Sequence, residues 1–139
     1  MALDSATVRF LKRLADGGGK PLHECTPDEA RAFLSRLAEL AGPAPEMWSV
    51  EEHNIEETDA RARLRVLVPI ENPIGMLIYY HGGGWVLGSI DEYDTVARKL
   101  AERTSCAVVL VDYRLAPEHR YPAGVDDSYA ALKWVGDHI

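Results

Sequence analysis

The spacing of apolar residues changes twice along the chain, and each change marks a different kind of element. At the start, Leu3, Thr7, Phe10, Leu11 and Leu14 fall on one helical stripe, which predicts a helix over Asp4–Ala15 broken by Gly17-Gly18-Gly19. A second helix is marked more fully. Thr26 can cap it, Pro27 suits the first helical position and Glu29 can complete a capping box. Ala30, Phe33, Leu34, Leu37, Leu40 and Ala41 then follow at helical spacing until Gly42-Pro43 stops them. Two amphipathic helices ahead of any strand fit a lid over a site, a membrane-surface hairpin or plain core packing.

From Val50 the period becomes two. Ala60, Ala62, Leu64, Val66 and Val68 share one face, and Arg61, Arg63 and Arg65 share the other. Glu52, Asn54 and Glu56 alternate in the preceding stretch. Folded back through Glu57-Thr58-Asp59, these side chains would oppose the arginines across an antiparallel pair. The arginine row then reads as a solvated, salt-bridged sheet face whose counter-ions are built in, rather than an anion site.

The third regime alternates continuous apolar runs with helical patterns. Met76–Tyr80 is an apolar run of the kind found in a sheet covered on both faces. Asp91–Thr104 reads as a helix with Val96, Leu100 and Ala101 inward. Cys106–Val111 reads as a second strand, and Ala123–His138 as a second helix. Successive βα units imply parallel strands and an α/β class, with an antiparallel hairpin leading into a parallel βαβα unit.

Composition narrows the function classes. The chain has 139 residues, enough for one compact domain, and 47% of them are hydrophobic. Lys and Arg total 15 against 22 Asp and Glu, a net charge of −7 that disfavours nucleic acid or an anionic membrane as partner. Two cysteines, Cys25 and Cys106, are too few for a disulfide scaffold. Asp4, Arg9, Lys12 and Arg13 stand where a signal peptide would need an apolar core, and no run approaches the length of a membrane span. A cytoplasmic location is the expectation.

Chemistry concentrates in Tyr80-His81-Gly82-Gly83-Gly84-Trp85, directly after an apolar strand. Three glycines remove every Cβ and permit positive φ, so the backbone can turn sharply and aim N–H groups outward. A bend at the carboxyl end of a parallel strand lies where α/β sheets bind ligands. Such N–H groups can stabilise the oxyanion of an acyl-transfer intermediate. A glycine-rich turn without a role is the bland reading. A phosphate loop lacks its pattern, because no Lys follows the glycines.

A second stretch, Asp112-Tyr113-Arg114-Leu115-Ala116-Pro117-Glu118-His119 followed by Tyr121-Pro122-Ala123, decides between these. Taken with the glycine run, it resembles the hormone-sensitive-lipase family of α/β-hydrolases, from about Leu3 to the last residue. The resemblance implies the front half of an α/β-hydrolase sheet: N-terminal cap helices in residues 1–45 and the first half of the core in 46–139. It implies that Gly82, Gly83 and Gly84 line an oxyanion hole. His81, Asp112 and Arg114 would orient the loop, with Glu118 and His119, in a buried polar network. Trp85 either lines the substrate pocket or only packs beside it, and the pocket is the assignment adopted. Tyr93 departs from the pattern, since many members of the family have His there.

The family's nucleophile sits in G-x-S-x-G. None of the six serines, Ser5, Ser35, Ser49, Ser89, Ser105 and Ser128, has glycine at both flanking positions, so no triad member is expected in these residues. No metal or other cofactor is expected either. The function implied is a serine carboxylesterase acting on short- to medium-chain acyl esters, with the triad in a C-terminal part. The chain alone would be inactive and would pair with that part as a second chain, or with a second copy of itself. An amidase on the same scaffold, or a non-catalytic half-hydrolase used for binding or dimerisation, are the alternatives.

Overall fold

The computed structural model describes residues 2–17 and 19–138. Helix α1 spans Ser5–Asp16, capped by the Asp4 carboxylate, which accepts the N–H groups of Ala6 and Thr7. Of the three glycines expected to break it, Gly17 is the C-cap and Gly18 lies outside the described residues. A 3-10 turn at Leu22–Glu24 leads to α2, Pro27–Ala38, which carries the expected Thr26/Glu29 capping box. A further 3-10 turn, Glu39–Ala41, ends at Gly42, whose φ of 74° takes the chain out of the helix.

Strands β1 (Ser49–Glu56) and β2 (Arg61–Val68) form the antiparallel hairpin. Its register sets Glu52, Asn54 and Glu56 opposite Arg65, Arg63 and Arg61, as their alternation implies. Then come β3 (Met76–Tyr80), α3 (Ile90–Thr104), β4 (Ala107–Asp112) and α4 (Ala123–His138). The sheet order is β1-β2-β4-β3, with β4 antiparallel to β2 and parallel to β3.

Helices cover both faces. Ala62, Leu64, Val66, Val109 and Val111 meet Ala130 and Ala131 of α4 in one core cluster. Leu67, Val108 and Leu110 meet Ile90, Ala97 and Ala101 of α3 in the other. Burial on alternate faces is why β4 is apolar at every position from Ala107 to Val111.

Among the described residues β3 is an edge strand, and every one of its side chains is at least partly exposed. Two expectations are corrected. On α3 Ala101 is buried and Leu100 packs against the core as expected, but Val96 is 45% exposed and Ile90 and Ala97 point inward in its place. The helix starts at Ile90, which sets the phase of its buried stripe, and two alanines let it lie close on β4. The arginine row is not simply solvated, because α3 lies over it. Arg65 is held by Glu52 at 2.5 Å, Asp91 at 2.7 Å and Asp94 at 2.9 Å, leaving its side chain 14% exposed. Asp91 and Asp94, on the first two turns of α3, therefore serve as counter-ions alongside Glu52 of β1.

α1 has no buried residue. Leu3, Val8, Phe10 and Leu11 of its apolar stripe are all more than 40% exposed. α2 is better seated. Arg31 donates to the carbonyls of Val86 and Ala116 and pairs with Glu118 at 2.7 Å. No described helix is long and apolar enough to cross a membrane.

Candidate active site

The chain leaves β3 at Tyr80 and enters the glycine loop at the carboxyl end of that strand. Gly83 has φ of 135° and Gly84 of 61°, and Trp85 shares the left-handed region at 64°. At Gly83 the glycine is required twice over. Its φ is forbidden to a side-chain-bearing residue, and a Cβ would run into the backbone carbonyl of Leu87. Among the described residues, the N–H groups of Gly82, Gly83 and Gly84 donate to no acceptor. Gly82 and Gly84 are exposed. The loop therefore presents backbone donors to open space in a water-accessible cleft, an arrangement able to receive an oxyanion.

Behind the loop lies an aromatic stack. The His81 ring, in a residue 4% exposed, sits between Tyr113 at 4.4 Å and Tyr93 at 5.4 Å, nearly parallel to the former. The Tyr113 hydroxyl donates to the His81 carbonyl at 2.5 Å, and the Tyr93 hydroxyl donates to the Gly82 carbonyl at 3.4 Å. Burial raises the pKa of both phenols, which keeps them protonated as donors. Nδ1 of His81 stands 3.0 Å from the Gly82 carbonyl, and a carbonyl can only accept, so Nδ1 carries the proton. Nε2 is buried and without a partner among the described residues. Gly88, at φ of 101°, lets the chain pass under this ring, since a Cβ there would overlap it.

The polar network expected from the second motif is divided. Neither Asp112 nor Arg114 bonds to residues 81–84. Asp112 accepts the Ile90 N–H at 3.3 Å and faces Arg63 at 3.5 Å, so it steadies the start of α3. Arg114 pairs with Asp127 of α4, Nη2 to Oδ1 at 2.8 Å, and donates to the Asp59 carbonyl at 2.7 Å. Glu118 is exposed and pairs with Arg31, whose hydrogen bonds hold its carboxyl down at about 2. His119 is exposed too. One buried network would have needed every partner inside. Instead each ionic group found a counter-ion on a different element, and the bracing falls to Tyr113 and Tyr93.

Asp127 is the residue that sequence reasoning missed. It is fully buried and accepts from the backbone N–H of Arg61 at 2.7 Å, the backbone N–H of Arg114 at 2.8 Å, and the Arg114 guanidinium. It thus ties the end of the hairpin, the loop after β4 and α4 to one carboxylate. The signal was available, since Asp127 shares a helical face with Gly124, Ala130 and Ala131, where a charge needs a partner.

Two hollows flank the loop. Trp85, 53% exposed, lines a cavity of about 290 Å³ with Arg114, Tyr121 and Val125, and its ring packs 3.2 Å from where a Cβ of Gly124 would be. Gly83 and Gly84 border a different, open hollow of about 220 Å³ that Leu22, Thr26 and Ala30 also line. The N-terminal segment around α2 therefore shares a hollow with Gly83 and Gly84, and Trp85 lines the other one.

A parallel strand ending in a left-handed glycine turn, with free amides at the carboxyl edge of a sheet covered on both faces, is the arrangement of an α/β-hydrolase. The profile of a family described as having the alpha/beta hydrolase fold matches residues 77–139. Carboxylesterase NlhH of Mycobacterium tuberculosis is 43% identical over 99% of this chain and 40% of its own length. The ethyl acetate hydrolase of Pseudomonas putida is 33% identical over 97% of this chain and 46% of its own. The hyperthermophilic esterase of the archaeon Pyrobaculum calidifontis superposes with a TM-score of 0.88 at 35% identity, covering 99% of this chain and 45% of that one. The chain belongs to the hormone-sensitive-lipase family of α/β-hydrolases. It spans less than half the length of these relatives.

Proposed function

We propose that this chain supplies the oxyanion loop of a serine carboxylesterase acting on short- to medium-chain acyl esters. The Ser/Asp/His triad comes from sequence outside these 139 residues. The observation that carries this reading is the loop itself: backbone donors of Gly82, Gly83 and Gly84 with no acceptor among the described residues, at the carboxyl end of β3. Relatives named as a carboxylesterase and an ethyl acetate hydrolase support ester chemistry.

In this reading the serine oxygen attacks the ester carbonyl carbon and its proton passes to the histidine. The carbonyl oxygen becomes an anion facing the glycine amides, each donor contributing roughly 10²–10³ in rate. Collapse expels the alcohol, which takes the proton from histidine, and water then releases the acid by the same two steps. The hollow between Leu22–Ala30 and Gly83–Leu87 receives the acyl chain, with α1 and α2 as parts of a cap.

The exposed edge of β3 receives the strand that carries the nucleophile. An open apolar edge pairs with whatever strand is supplied, and a second copy of this chain is the competing occupant.

The test is hydrolysis of p-nitrophenyl esters of graded acyl length by the chain alone and joined to a G-x-S-x-G segment of a relative. Turnover only in the joined protein, greatest for short and medium acyl groups, is expected. Faster turnover of anilides would make it an amidase. No turnover in either form, with the chain dimeric, would favour a non-catalytic module.

A further inference from the structure

We infer that Tyr113 and Tyr93 are positioning residues that each aim one amide of the glycine loop, Tyr113 that of Gly82 and Tyr93, with His81, that of Gly83. The inference rests on the oxyanion reading above. Its basis is the planarity of the peptide unit: C=O and N–H of one trans peptide point in opposite directions, so a fixed carbonyl fixes the amide that follows.

Each of the three amides has its paired carbonyl held from behind. The carbonyl of His81, which shares a peptide with the Gly82 N–H, accepts the Tyr113 hydroxyl at 2.5 Å. The carbonyl of Gly82, paired with the Gly83 N–H, accepts His81 Nδ1–H at 3.0 Å and the Tyr93 hydroxyl at 3.4 Å. The carbonyl of Gly83, paired with the Gly84 N–H, accepts the backbone N–H groups of Val86 at 3.2 Å and Leu87 at 3.0 Å.

Glycines at φ of 135° and 61° have no intrinsic preference to hold such an arrangement, so orientation must be imposed from outside the loop. The third peptide is held by local backbone, whereas the first two depend on side chains from β4's end and from α3. Because His81 lies stacked between the two tyrosines, its ring cannot rotate to release Gly82 without unstacking both.

Tyr113→Phe keeps the stack and removes one donor; Tyr93→Phe does the same at a partly exposed position. Two readouts are needed on the intact protein, joined to its nucleophile segment: the amide ¹H–¹⁵N resonances of the loop glycines, and kcat and KM for a p-nitrophenyl ester. Tyr113→Phe is expected to move the Gly82 resonance and lower kcat roughly ten-fold with KM within about two-fold. Tyr93→Phe moves Gly83 and lowers kcat a few-fold, through the longer bond. A purely structural role would lower Tm without this split and without residue-specific amide shifts. Unmoved resonances at Gly82 and Gly83 overturn the positioning inference whatever happens to kcat. Resonances that move while kcat stays unchanged, or a parent without ester turnover, overturn the oxyanion reading and this inference with it.

Discussion

Two arginine–carboxylate assemblies sit within the same small sheet and are built on opposite principles. Where the hairpin, the segment after β4 and α4 meet, Asp127 is fully buried and answers only to Arg114 and two backbone amides. On the opposite face, Arg65 gathers three carboxylates whose own exposures run from 19% to 63%. The first has one charge of each sign, and its carboxylate has no access to water although the Arg114 side chain stays 24% exposed. The second has spare acids and solvent at its rim. Burial, rather than the number of ion pairs, decides what each is worth: breaking a buried pair strands a charge, while an exposed network rearranges.

The sharpest way to break this comparison is Asp127→Ala. It leaves the backbone N–H groups of Arg61 and Arg114 without an acceptor and the partly exposed guanidinium without its counter-ion, and the expected loss is about 2–4 kcal/mol, read as a fall in Tm or in the urea midpoint. A loss no greater than that at Arg65 would show that the junction admits water.

Gly83→Val tests the glycine loop. A branched side chain at a φ of 135° has no room beside Leu87, so the peptide must rotate. Ester turnover in the joined enzyme should fall by roughly 10²-fold or more, the effect of losing one donor. Turnover within a few-fold of the parent would remove these glycines from the chemistry.

On the rim the effects shrink. Arg65→Ala should cost about 1–2 kcal/mol, between an exposed pair and a buried one. The loss should lessen in high salt, because two of its acids face solvent.

Glu118 gives the pH arm. Arg31 holds its carboxyl at about 2, below the ordinary value of 4.5. A depressed folded-state pKa means the pair stabilises above pH 4.5, and that its contribution fades as pH falls toward about 2. Melting curves of the parent and Glu118→Gln should therefore differ slightly near neutrality and converge in acid. A gap that widened on acidification would contradict the pairing.

Least of all, Phe10→Ser on the open face of α1 should leave Tm within about 1 °C, the usual range for surface changes. A large loss would mean that something covers that helix.

The elements themselves were legible in the chain because they depend on local geometry. Period-two alternation from Val50 onward, the Thr26/Glu29 box and the apolar run of β4 each specify how a short segment can hide its own apolar face. The glycine loop was legible for the same reason, since positive φ is a property of single residues. Pairing was not. That β4 rather than β3 lies against β2, and that Arg114 answers Asp127 rather than Asp112, are choices between chemically equivalent partners distant in sequence. The cover over the arginine row was hidden too, because it comes from the first two turns of α3. So was the clamp of Tyr113 and Tyr93 on His81, which exists only where β4's end and α3 meet behind the loop. Periodicity tells a segment which face to bury; only the packed molecule decides against what.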